Sequence, residues 1–190
     1  MEEKFTKLEQ RVRDIFFRHP KRQFSIRDIA RIVDISHPSA SGALKRLYKK
    51  GIVHTQPGHP VIERRLRQVI SKKHPTWCAD TNSASYRVSK QVHNLRELLF
   101  CGIVEEISKR TSPNAIILFG SYSRGEDIAD SDIDLLVISS KQPLPLKKYE
   151  KKLGRKINIL FEPDPSRLRK ELLNNLVNGI VVYGYFEAFR

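Results

Sequence analysis

Apolar residues recur at helical spacing from the start of the chain. Phe5, Leu8, Val12, Ile15 and Phe16 predict an amphipathic helix over 4–18. His19-Pro20 closes it, because the residue ahead of a proline avoids the helical region. Ser25 is a good N-cap for a second helix that buries Ile26, Ile29, Ala30 and Val33. Ser36 caps a third. Pro38 is tolerated there because a first-turn N–H has no partner within the helix. Ala40, Ala43, Leu44 and Leu47 point inward, and Gly51 stops the helix before a strand opens at Ile52-Val53. The alternation of Tyr86 and Val88 in SASYRVSK (83–90) predicts the returning strand of a hairpin. The gap between the two strands is too long for a simple tip. It is read as an insertion over about 56–84 carrying a short helix, with Ile62, Leu66, Val69 and Ile70 on one side. Arg64, Arg65, Arg67, Lys72 and Lys73 lie on the other, suited to a wider nucleic-acid footprint or to packing against a second domain. Trp77 is expected to be a packing anchor of this insertion.

The second half changes rhythm. Gln91 to Arg110 predicts a helix with a broad apolar face. AIILF (115–119) reads as a buried, parallel-type strand that opens into Gly120-Ser121. DSDIDLLVIS (130–139) is a second strand, on which Asp132 and Asp134 share a side while Ile133 and Leu135 face the core. A basic helix (144–155), a third strand (156–162), a helix (165–179) and a last strand (180–185) complete the pattern. The division falls at residues 1–90 and 91–190.

Charge sharpens this division. The net charge is +14, but residues 1–90 hold 20 Lys and Arg against 8 Asp and Glu, whereas residues 91–190 hold 15 against 13. The first part suits a polyanionic partner or a basic solvated surface; charge alone does not choose. No apolar run is long enough for a transmembrane helix, and the N-terminus does not read as a signal peptide. Cys78 and Cys101 are widely separated and the six histidines lack zinc spacing. A reduced, cytoplasmic protein without membrane association is therefore expected.

FSIRDIARIVDISHPSASGALKRLYKKGIV (24–53) resembles the winged helix-turn-helix domains of transcription regulators. The resemblance implies that the third helix enters the major groove of double-stranded DNA. His37, Ser39 and Ser41 are its candidates near base edges, and Lys45 and Arg46 its phosphate contacts. A three-helix protein-interaction module is the alternative, and a homodimer is expected from how such regulators meet two-fold sites.

Gly120-Ser121 followed by Asp132-Ile-Asp134 suggests a phosphate and metal site from the residues alone. Gly120 lets backbone approach a ligand, and Ser121 offers a hydroxyl and an N–H to an anion. Two carboxylates on one side repel each other and suit a hard cation. GSYSRGEDIADSDIDLLV (120–137) resembles the minimal nucleotidyltransferases of the DNA polymerase beta-type superfamily. That resemblance implies an α+β chain of two domains, a winged helix-turn-helix followed by a small α/β nucleotidyltransferase fold with a mixed sheet. It implies that Gly120 and Ser121 hold triphosphate oxygens, with Arg124 near phosphate or on the surface. Asp132 and Asp134 then bind Mg2+ or Mn2+ and carry catalysis on ATP or another NTP. The expected reaction transfers a nucleotidyl group, most plausibly AMP, to a protein or nucleic-acid hydroxyl. A small helical toxin-like protein is a partner that the resemblance suggests, with this chain antitoxin-like. The family's third carboxylate aligns with Asn158, which can offer a metal an oxygen but is no useful proton acceptor. A regulator that binds nucleotide without efficient catalysis is the alternative.

Overall fold

A computed structural model describes residues 5–57, 62–63, 68–69 and 75–187. The architecture is α+β, as expected. The chain divides into two compact units, Met1–Tyr86 and Arg87–Arg190.

In the first unit, α1 (Lys7–Arg18), α2 (Ile26–Val33) and α3 (His37–Lys49) begin at the side-chain caps Thr6, Ser25 and Ser36. Each cap oxygen accepts an N–H that the helix cannot satisfy itself. Val12, Phe16, Ile29, Leu44 and Leu47 are buried together, so the three apolar stripes close on one core. β1 (Val53–Gln56) then pairs antiparallel with β4 (Thr76–Ala79), with His54 opposite Cys78. Phe24 and Trp77 exchange backbone hydrogen bonds of 2.9 and 2.8 Å, which pins β4 to the segment ahead of α2. Buried Trp77 anchors the hairpin to the three-helix core.

Two expectations for this region are overturned. The returning strand is β4, not 83–90, which begins the helix α4 (Ala84–Cys101). Tyr86, Lys90, Asn94 and Leu98 are all buried and follow one another at intervals of four. That helical stripe outweighs the brief alternation of Tyr86 and Val88. Within the insertion, β2 (Ile62–Glu63) and β3 (Gln68–Val69) form an antiparallel ladder where a helix was expected. The β-branched types at the paired positions 62 and 69 suit a ladder at least as well as a helix. Arg64, Arg65, Arg67, Lys72 and Lys73 lie outside the described residues.

The helix expected over 91–110 is also two helices. Gly102 takes φ +88°, a left-handed conformation that ends α4 and starts α5 (Ile103–Thr111). After α5 come β5 (Ala115–Phe119), the short α6 (Gly120–Arg124), β6 (Ile133–Val137), α7 (Leu146–Leu153) and β7 (Ile157–Phe161). A 3-10 turn (Pro165–Arg167), α8 (Lys170–Val177) and β8 (Ile180–Gly184) follow. The sheet order is β7-β6-β5-β8. β6 and β7 are parallel, and β5 is antiparallel to both its neighbours, so the sheet is mixed. The parallel setting expected for β5 is thus incorrect. Its continuous apolar run has another cause: both faces are covered. Ile116 and Leu118 pack in one cluster with Ile103 and Ile107, and Ala115 and Ile117 in another with Leu176. Among the described residues no helix is long and apolar enough to cross a membrane.

Candidate functional site

The site lies where β5 ends and β6 and β7 begin. Asp134 is in register with Phe119 on β5 and with Asn158 on β7. Asp132 stands just ahead of β6 and two residues from Asp134, so strand alternation sends both carboxylates to one side. The Asn158 amide nitrogen donates to Asp132 Oδ2 at 3.1 Å and to Asp134 Oδ1 at 3.2 Å. These three side chains therefore meet, with Asn158 exposed and the carboxylates half-buried. Bridging by an amide relieves part of their repulsion, because its two N–H groups face two anionic acceptors.

Gly120 forms the wall opposite. Its φ is +77°, and a Cβ placed on it would stand 2.6 Å from Asp134 Oδ2. Only glycine combines that backbone with that proximity. The turn is held from within: the Ser123 hydroxyl donates to the Gly120 carbonyl at 2.8 Å, and the Glu126 N–H to the Ser121 carbonyl at 3.0 Å. Arg124 is exposed and its Nε pairs with Glu126 at 2.8 Å. Glu162 and Asp164 serve the turn after β7: Glu162 accepts the Asp164 N–H and Asp164 caps the 3-10 turn.

The donor set is two carboxylates and one amide; among the described residues no cluster of three His, Cys, Asp or Glu forms. It fits one hard divalent ion of the magnesium or manganese kind, with coordination left for water and ligand oxygens. The space that a Cβ on Gly120 would fill lies directly against Asp134. Tyr122 does not supply the missing base, since burial pushes its hydroxyl far up.

A buried polar cluster holds the loop that leads to Asp132. Asp127 is fully buried and pairs with Arg155 at 2.6 Å and Lys90 at 3.3 Å. Asn94 donates to the Asp127 carboxylate at 2.7 Å and to the Tyr122 carbonyl at 2.9 Å. Burial pushes the Lys90 ammonium down, and Asp127 opposes that shift. The available signal was polar Lys90 and Asn94 on the stripe of α4 that also carries Tyr86 and Leu98.

In the first unit, His37, Ser39 and Lys45 are exposed on α3, and Ser41 is half-buried. The Ser39 hydroxyl lies 2.8 Å from that of Ser36, beside the cap. Arg46 differs from them, because its Nε meets the buried Glu9 at 2.5 Å. Basic surface is not confined to α3: Arg11, Arg18, His19 and Arg22 line a groove of about 340 Å³ along α1 and the segment after it.

Comparison with known proteins bears on the second unit. Residues 100–182 match the family model described as a nucleotidyltransferase domain, under half of the chain. This supports the nucleotidyltransferase reading of that half. No curated protein matches. Among solved structures, a mutant of Lactococcus lactis ZitR is 17% identical with a TM-score of 0.36, over 59% of this chain and 66% of that one. A toxin-antitoxin with AMP-PNP is 22% identical with a TM-score of 0.34, over 48% of this chain and 74% of that one. Neither likeness is close enough to bear on function.

Proposed function

We propose that the second unit binds a nucleoside triphosphate with Mg2+ or Mn2+ and transfers its nucleotidyl group, AMP from ATP, to a protein or nucleic-acid hydroxyl, which loses its proton as the α–β phosphoanhydride bond breaks and pyrophosphate leaves. The observation that carries this is the meeting of Asp132, Asp134 and Asn158 against Gly120. It is supported by the family match over residues 100–182. Asp132 and Asp134 would hold the ion, with the Asn158 amide turned to offer its oxygen. A bound divalent ion supplies charge neutralisation at the triphosphate and polarises the phosphoryl oxygens. Backbone N–H groups of the Gly120-Ser121 turn and the Ser121 hydroxyl bind phosphate oxygens and orient the chain for in-line attack. Arg124 is available to phosphate after exchanging its exposed pair with Glu126, an exchange of little cost.

The first unit, in this reading, binds double-stranded DNA through α3. His37, Ser39, Ser41, Lys45 and Arg46 face the nucleic acid, and the Arg46 Nε also braces α3 against α1 through Glu9. A small helical toxin-like protein is the acceptor class suggested by the resemblance of the motif, which makes the chain antitoxin-like; a homodimer would match a two-fold DNA site.

One observation favours a second reading, a regulator that binds nucleotide without transferring it. Asn158 donates to both carboxylates and is no proton acceptor, so the attacking hydroxyl lacks a base from this position. The two readings separate when the protein is incubated with ATP labelled at the α-phosphate, a divalent ion and a cell lysate, beside an Asp132→Asn/Asp134→Asn variant. Label on a macromolecule with the native chain alone establishes transfer. Bound nucleotide without transferred label establishes the regulator.

A further inference from the structure

The segment after Gly125 delivers Asp132 to the site, yet it contains no helix or strand. Lys90 donates to the Asp127 carbonyl at its start, and the Ile128 N–H and Ser131 hydroxyl pair within it, but one side chain from outside spans its length. Arg155 Nη1 donates to the Ile128 carbonyl at 2.5 Å and to the Ser131 carbonyl at 2.9 Å. Its Nη2 donates to Asp127 Oδ2 at 2.6 Å, and its guanidinium stands 5.4 Å from the centre of the Tyr122 ring. The next residue closes the other side: the Ile133 N–H donates to the Lys156 carbonyl at 2.9 Å. Asp132 is therefore bracketed by Arg155 before it and Lys156 after it, and Asn158 follows on the same strand.

The chemistry of the clamp argues that geometry is its purpose. Burying a carboxylate with two cations is weak evidence for stability, since apolar side chains of similar volume serve as well or better. What apolar residues lack is direction. A planar guanidinium with several fixed N–H groups reaches carbonyls and a carboxylate at once; an ammonium on a flexible stem does not. Lys90 and Asn94 hold the Asp127 carboxylate from the other side and so orient the fork.

We propose that Arg155 is a positioning residue for Asp132, its guanidinium setting the path of residues 127–131 and hence the separation of the two site carboxylates. This rests on the nucleotide and metal reading of the site. The test uses the full chain with Arg155→Lys and Arg155→Met, the former keeping the charge beside Asp127, the latter leaving the Lys90–Asp127 pair intact. Two quantities are read: Mn2+-dependent ATP binding by calorimetry, and amide hydrogen exchange over residues 127–133. Arg155→Lys is expected to stay folded by circular dichroism, exchange these amides at least tenfold faster and bind Mn2+–ATP at least tenfold more weakly. Saturating Mn2+ should recover most of that binding, because the ion itself draws the carboxylates together. Native-like binding in folded Arg155→Lys, or unchanged exchange in the segment, overturns the proposal. If the native chain does not bind Mn2+–ATP, the reading of the site fails instead, and the exchange data alone decide whether Arg155 sets the loop.

Discussion

Gly120 shows how closely the candidate site is fitted at the scale of one residue. Alanine there meets two obstacles, a left-handed backbone and a carboxylate oxygen 2.6 Å from its Cβ. The backbone alone costs about 1–2 kcal/mol. The Asp134 carboxylate must also shift away from Gly120, which disturbs its contact with Asn158. Gly120→Ala is accordingly expected to lower the unfolding midpoint by several degrees and to weaken metal-dependent ATP binding at least tenfold, measured by thermal unfolding and calorimetry. Native-like affinity would show that the Gly120 wall is not part of the site. The meeting of Asp132, Asp134 and Asn158 was legible in the sequence because spacing along a strand determines which side chains share a face. Asp127 and Arg155 were not. Their partners lie 28 residues apart, and no local periodicity joins a loop carboxylate to an arginine ahead of a later strand. The pairing of exposed Arg46 with Glu9 was hidden for a related reason: it joins two helices far apart in sequence.

At the scale of elements, Glu9 links the start of α1 to the end of α3. It completes the capping box with Thr6 and also receives Arg46 and Lys50, the latter at 3.4 Å. Burial works against its ionisation, but the Thr6 N–H, Arg46 and Lys50 prevail, and its carboxyl is held below the usual range. Its stabilising effect is therefore complete above the unfolded-state value of about 4.3 and fades as pH falls through the lower folded-state value. Glu9→Gln should cost about 1–2 kcal/mol at pH 7, with the gap from the native protein narrowing in that acidic window. Denaturant unfolding at pH 7 and near pH 3 measures both; a gap that widens in acid would contradict this assignment. The helices of the first unit were readable because caps and apolar stripes coincide. The hairpin was misplaced because alternation over three residues cannot compete with four buried positions along α4. The direction of β5 was misread because a doubly covered strand is apolar throughout whichever way its neighbours run.

For the whole molecule, uneven charge gave the earliest sign of two roles. Residues 1–90 carry a net +12 of the total +14, while the candidate nucleotide site lies in the nearly balanced remainder. The central claim is that Asp132 and Asp134 hold a divalent ion for a nucleoside triphosphate. Calorimetric titration of ATP, with and without Mn2+, into the native chain and into Asp132→Asn/Asp134→Asn tests it most directly. The account predicts saturable binding by the native chain that requires the metal and disappears in the double variant while its fold persists. Absence of binding by the native chain, or equal binding by the folded double variant, would contradict it.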